Sequence, residues 1–188
     1  MPRIIKTLVA NLLLFALTAA PVLAVCGDDG GNFIAPRRQR VGEYLSKSVA
    51  HDFNRDGQVD VAVADDYSNK GFILFGDGAG NLNFAAEYAV GAGPIDLKKA
   101  DFNGDGQTDL ITANRGDGNV SILLGAADGT FSAAPPPVAT VFAPAALAVG
   151  DFNLDGRTDF AASDSLTNSV LIFLGAANNS FVAGGSVR

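Results

Sequence analysis

The chain has 188 residues, 48% of them apolar, which is enough for one domain with a packed core or for a short array of repeats. Its net charge of −7 argues against a nucleic-acid partner, because phosphate binding needs a basic surface. A single cysteine and a single histidine exclude an internal disulfide, a zinc cage of cysteines and histidines, and any active site built on a His pair.

The first element in chain order is an export signal over residues 1–24. Arg3 and Lys6 give a positive start, Leu8 to Ala20 an apolar stretch, and Val22 to Ala24 a small-residue cleavage site. A retained membrane anchor is the alternative: Thr7 to Val25 approaches a spanning length, although Asn11 and Pro21 weaken it. "LAVC", ending at Cys26, is similar to a lipobox, but Val25 is branched where that motif wants a small residue. The protein is therefore expected outside the cytoplasm: secreted, periplasmic, or held at the outer surface through a lipidated Cys26. The run "PRRQR", with Arg37, Arg38 and Arg40, reads as a solvated loop, with contact to an anionic glycan or membrane as the sharper alternative.

From residue 25 to 188 the chain repeats. "DFNRDGQVD" begins at Asp52, "DFNGDGQTD" at Asp101 and "DFNLDGRTD" at Asp151, with offsets of 49 and 50 residues. Each is followed by an apolar run ending in glycine, at Gly76, Gly125 and Gly175, and then by a turn and a phenylalanine, taken as Phe84, Phe131 and Phe181. The runs have strand length, and glycines punctuate them as turns do. Units of this length made only of strands suggest propeller blades around 41–84, 90–131 and 138–181. "VLAVCGDDGGNF" (22–33) matches the tail of the third unit, so a half-blade at 22–33 is a further reading. "PPP" at 135–137 reads as a stiff connector. The phenylalanines after each first aspartate, Phe53, Phe102 and Phe152, are expected to pack between blades. His51 reads as a tolerated substitution at a strand end.

Each motif places oxygen-bearing side chains at positions one, three, five and nine, and position seven can offer its carbonyl. Calcium takes six to eight hard oxygen ligands, and a tight loop with this spacing can wrap one ion. Gly57, Gly106 and Gly156 at position six permit the bend. A bare polar turn is disfavoured by three near-identical copies at a fixed period. An EF-hand is rejected, because its position twelve needs glutamate and here holds Val63, Thr112 and Ala162.

The segment "DFNGDGQTDLITANRGDGNVSILLGAADGTF" resembles an FG-GAP/VCBS repeat, the blade of integrin-α-like propellers. The likeness runs over roughly Val41 to Phe181. It implies an all-β fold: a partial β-propeller of about three to three-and-a-half four-stranded blades after an N-terminal signal helix. It also implies about three Ca²⁺ sites. Carried over by position, their ligands are Asp52, Asn54, Asp56, the Gln58 carbonyl and Asp60; Asp101, Asn103, Asp105, the Gln107 carbonyl and Asp109; and Asp151, Asn153, Asp155, the Arg157 carbonyl and Asp159. The blade count departs from closed rings of four to eight. An open stack, a piece of a longer propeller, and a homodimer of two three-and-a-half-blade chains all remain open.

The functional expectation is a non-enzymatic, calcium-stabilised binding or adhesion module with an extracellular protein or glycan as partner. No nucleophile–base pair recurs between copies, and Glu43, Asp65, Asp66 and Glu87 show no evident partner in the sequence. The alternative is a propeller fragment or accessory domain of an extracellular polysaccharide-active enzyme.

Overall fold

The computed structural model describes residues 38–134, 142–177 and 180–187. The expected signal, Cys26, Arg37, the half-blade at 22–33 and the proline connector lie outside them. The described strands belong to one compact unit, Gln39–Arg188. They form three four-stranded antiparallel sheets, each in simple sequence order. Blade 1 is β1 (Leu45–His51), β2 (Asp60–Asp65), β3 (Lys70–Gly76) and β4 (Leu82–Ala89). Blade 2 is β5 (Pro94–Ala100), β6 (Asp109–Asn114), β7 (Asn119–Gly125) and β8 (Phe131–Ala133). Blade 3 is β9 (Pro144–Gly150), β10 (Asp159–Asp164), β11 (Ser169–Ala176) and β12 (Ser180–Val187). The all-β expectation holds.

Alternation along each strand sends successive side chains to opposite faces of the sheet. In blade 1, Phe53, Ala62, Ala64 and Ile73 face forward and pack against Leu97, Leu110, Leu123 and Phe131 of blade 2. Blade 2 turns Phe102, Ile111, Ala113 and Ile122 forward onto Leu147, Phe160, Ala162 and Phe173 of blade 3. A strand covered on both sides has no need of polar alternation, so β6 is buried along its whole length. A third cluster, Val63, Phe72 and Leu74, lies on the other face of blade 1. The innermost strands of neighbouring blades also touch, β1 beside β5 and β5 beside β9.

Register corrects one assignment. Gly125 pairs with Phe131 and Gly175 with Phe181, but Gly76 pairs with Leu82. Leu82, and not Phe84, is therefore the blade 1 counterpart of those phenylalanines. The partner lies six positions after the glycine in all three blades, and Phe84, two residues further on, is exposed.

Buried aspartates tie the turns down. Asp65 accepts from the backbone N–H groups of Glu43 (2.7 Å), Tyr44 (3.1 Å) and Tyr67 (3.0 Å). Burial pushes its carboxyl up, but these donors together with Ser68 N–H outweigh that and hold it below the usual range. Asp164 accepts in the same way from Phe142, Leu166 and Thr167, while Asn114 fills the position in blade 2. Asp65 thus has the partners its sequence context did not show, and Glu87 pairs with Lys70 across β3 and β4. Between blades, the buried Asp96 accepts from Leu147 N–H at 2.8 Å and pairs with Lys98 at 3.0 Å.

Candidate metal loops

The three nine-residue motifs join the first and second strands of their blades and close in nearly the same way. In the first, Asp52 accepts from the N–H groups of Asp56 (3.1 Å) and Gly57 (2.9 Å). The Asn54 Oδ1 accepts from Asp56 N–H (3.1 Å), and Asp56 Oδ1 from Gln58 N–H (2.7 Å). In the second, Asp101 accepts from Gly104 and Gly106, Asn103 from Asp105, and Asp105 from Gln107. In the third, Asp151 accepts from Asp155 and Gly156, Asn153 from Asp155, and Asp155 from Arg157. Positions one, three and five are therefore Asx-type supports of the loop backbone, oriented by the N–H groups that follow them.

Position six has the left-handed backbone expected of its glycines, with φ of 84°, 77° and 82° at Gly57, Gly106 and Gly156. Position four does the same, and this was not read from the sequence: Arg55, Gly104 and Leu154 have φ of 60°, 76° and 61°. Only Gly104 adopts it without a side-chain penalty.

Position nine behaves differently from the rest. Asp60, Asp109 and Asp159 are fully buried. One carboxylate oxygen of each accepts from the N–H of residue two: Phe53 at 2.8 Å, Phe102 at 2.8 Å and Phe152 at 2.7 Å. The other accepts from the glycine that closes the apolar run of the third strand: Gly76 at 2.9 Å, Gly125 at 2.8 Å and Gly175 at 2.8 Å. The strand end must come close for this. A Cβ on those glycines would stand 2.2 Å from the Val59 carbonyl oxygen, 2.2 Å from that of Thr108 and 2.5 Å from that of Thr158. The recurring "G" after each apolar run is thereby accounted for.

All side-chain acceptors of the loops are oxygens, the donor set that suits a hard cation. A carboxylate oxygen accepting one N–H keeps a second lone pair for a metal. The side chains are not drawn into a cage: among the described residues no three acidic, histidine or cysteine groups stand close enough to hold an ion. The Asn54, Asn103 and Asn153 amides donate to Asp56, Asp105 and Asp155, a contact an ion would replace. The loops thus fit calcium in donor chemistry and backbone path, with side-chain rotation left to the binding step.

Asp109 is also displaced in its titration. Burial pushes its carboxyl up to about 6, the Gly125 and Phe102 N–H groups draw it back in part, and Asp105 and Asp101 raise it further. With a raised native value, the metal-free fold holds a proton between about pH 4 and 6 that the unfolded chain has released. Metal-free stability therefore falls as pH rises through that window. Thermal melts in chelator from about pH 4.5 to 7.5 check this: the Asp109 contribution should decline as pH rises towards about 6 and level off above it.

Other residues gather at the junctions. His51 lies between blades, 2.8 Å from Thr108 Oγ1 and 3.2 Å from Lys99 Nζ, with its ring edge-on to Phe53. Burial lowers its pKa and the Lys99 charge lowers it further. A cleft of about 490 Å³ separates the second and third loops, lined by Asp101, Asn103, Asp155 and Arg157 among others.

Residues 101–162, from the second loop into β10, match the family model described as an FG-GAP-like repeat. The chain carries an FG-GAP-like repeat. No curated protein matches the sequence. Among solved structures, a crystal structure of BBS1N in complex with ARL6DN, soaked with mercury, aligns with a TM-score of 0.52 at 13% identity. That alignment covers 78% of this chain and 45% of the other, so the chain spans less than half the length of that structure. A second crystal structure of the same complex, soaked with lead, aligns with a TM-score of 0.38 at 11% identity, over 79% and 57% of the two chains. The first likeness concerns the fold alone, and that fold is the β-propeller arrangement of blades.

Proposed function

We propose that this FG-GAP-like chain is a non-enzymatic binding or adhesion module that works outside the cytoplasm and takes a calcium ion in each of its three loops. The observation that supports this best is the threefold recurrence of an all-oxygen loop whose ninth residue is fused into the blade. An ion held by such a loop would also hold the first three strands of the blade together, so its role is structural. The proposed ligands are those named from the sequence, from Asp52 to Asp60, Asp101 to Asp109 and Asp151 to Asp159. Extracellular calcium, near millimolar, fills sites of modest affinity. The partner would be an extracellular protein or a glycan. The carboxylates facing the cleft between the second and third loops, Asp101 and Asp155, are those of the loops themselves.

A ligand that binds only the folded state stabilises it by mass action. At ten times its dissociation constant, calcium would add about 1.4 kcal/mol per site, or roughly 3–6 °C in melting temperature for each site filled. Calorimetry in millimolar calcium and in chelator measures this. Equal melting temperatures at neutral pH would end the structural-calcium reading.

A further inference from the structure

Three copies of one loop in one chain supply an internal comparison. Position four has the same left-handed backbone in all three, so the loop path sets it and the side chain is free to differ: Arg55, Gly104 and Leu154. Arg55 reaches out of its own loop. Its guanidinium donates from Nη2 to the Gly106 carbonyl of the second loop at 2.5 Å. That carbonyl shares a peptide group with the Gln107 N–H, which donates to Asp105 Oδ1 at 2.7 Å. The peptide is thus gripped at both ends, by an acid of its own loop and by a base of the neighbouring blade. One of the torsions beside it belongs to Gly106, and glycine resists rotation least of all residues. An outside hold therefore matters most at this place. The second and third loops have no such tie. Gly104 has no side chain to send, Leu154 is 89% exposed, and among the described residues no side chain donates to the Gly156 carbonyl.

We propose that Arg55 is a positioning residue for the second metal loop, and that it joins the first two loops into a coupled pair while the third takes its ion independently. This rests on the calcium reading above. The gripped peptide leads directly into the Gln107 carbonyl, the proposed ligand at position seven. The acceptor that Arg55 uses, the Gly106 carbonyl, is not among the proposed ligands, so ion and guanidinium do not compete for it. A bond from a charged donor is stronger than a neutral one. Arg55 also stands between Asn54 and Asp56, two proposed ligands of the first loop. An ion that fixes the first loop fixes the root of this arm, and the tip of the arm fixes the second loop. Such coupling is reciprocal: each ion should strengthen the hold on the other. The charge of Arg55 alone acts the other way. A cation beside two cation sites repels both ions, weakly because it is exposed and screened. The two effects have opposite signs, so loss of Arg55 separates them.

NMR on the full chain gives each loop its own reporter, the N–H of Gly57, Gly106 and Gly156. In chelator, Arg55→Met should quicken amide exchange at Gly106 and Gln107 by about three- to ten-fold and leave Gly156 and Arg157 unchanged. Its melting temperature in chelator should stay within about 2 °C of the parent's, because the bond lies on an exposed loop. On titration with calcium chloride, the midpoint read at Gly106 should rise at least about three-fold in Arg55→Met, with the Gly156 midpoint unmoved. Asp52→Ala, which disables the first loop, should raise the Gly106 midpoint when Arg55 is present and add nothing in the Arg55→Met background. Unchanged exchange at Gly106 and Gln107 overturns the bridge, whatever calcium does. A Gly106 midpoint that stays or falls in Arg55→Met, or that rises equally with that of Gly156, overturns the positioning role. A Gly106 midpoint indifferent to Asp52→Ala overturns the coupled pair. No response to calcium at any of the three glycines in the parent ends the calcium reading itself and the positioning role with it, even where the exchange result stands.

Discussion

Phe160→Ala should cost about 3–5 kcal/mol, the range for deleting a fully buried aromatic side chain. Phe160 has no exposed surface. It stacks on Phe173 with centroids 4.7 Å apart and meets Phe181 edge-on at 5.0 Å, in the cluster that joins blades 2 and 3. The transfer loss and the cavity act together here, because both sheets are fixed by their own strand pairing and cannot close the gap. In an array where each unit rests on its neighbours, damage to one junction is felt there first. Urea unfolding should move to a lower midpoint. Amide exchange should quicken in β10 and β11 while β2 and β3 keep their protection. Phe152→Ala is the matched control: a phenylalanine of the same blade, half in water, whose loss should cost under about 1 kcal/mol in the single chain. Equal loss of protection in all three blades would show instead that the array unfolds as one unit.

Asp109→Ala should be nearly as damaging, through a different cause. The carboxylate accepts from Phe102 N–H and Gly125 N–H, both at 2.8 Å, in a site without solvent. Alanine leaves two buried donors unmet, at about 1–3 kcal/mol each. The gain from no longer burying a carboxyl with a raised pKa offsets part of this, so a net loss of about 2–4 kcal/mol is expected. This loss should appear in chelator. Asp101→Ala separates the two roles: its bonds to Gly104 and Gly106 lie on the exposed loop, so in chelator it should cost about 1 kcal/mol or less. In calcium it should lose the stabilisation that its own loop provides. Unfolding of both variants with and without calcium checks the contrast. If Asp109→Ala behaves as Asp101→Ala does in chelator, the position-nine aspartate is no structural fastening.

Much of the blade could be read before the coordinates, because period and turn chemistry are local signals. Gly57, Gly106 and Gly156 had to bend, and strands had to follow, since no run between the glycines was long enough for a helix. What escaped depends on contacts distant in sequence. Asp96 stands alone in "GPIDLKKA", yet its partner is an N–H of the next blade, on Leu147. Asp65 showed no evident partner in the sequence, and only the return of the chain into β1 beside it shows whose N–H groups it holds. The column formed by Asp65, Asn114 and Asp164 does recur 13 residues after each first aspartate, and that spacing was the available signal. Leu82 was missed because blade 1 has a leucine six positions after its glycine, where the other blades have phenylalanine, and the nearest phenylalanine lies two residues further on. Phe152 looks like Phe53 and Phe102 in sequence; its exposure is set by what stands beside its blade and not by its own surroundings in the chain.

The two junctions differ in a way that bears on how such arrays change over time. Between blades 1 and 2, Ala62, Ala64 and Ile73 face Leu97, Leu110 and Leu123. Between blades 2 and 3, Ile111, Ala113 and Ile122 face Leu147, Phe160 and Phe173. The contacts differ position by position: Leu110 and Leu123 stand where blade 3 has Phe160 and Phe173, and Phe75 stands where blade 2 has Leu124, so each blade is matched to its own neighbour in side-chain volume. Recombination that excised the middle copy would press Phe160 and Phe173 onto a partner shaped for leucines, and core overpacking is itself destabilising. The copies are alike in backbone and loop, yet they are not spare parts: the order of the blades is written in the bulk of the residues between them.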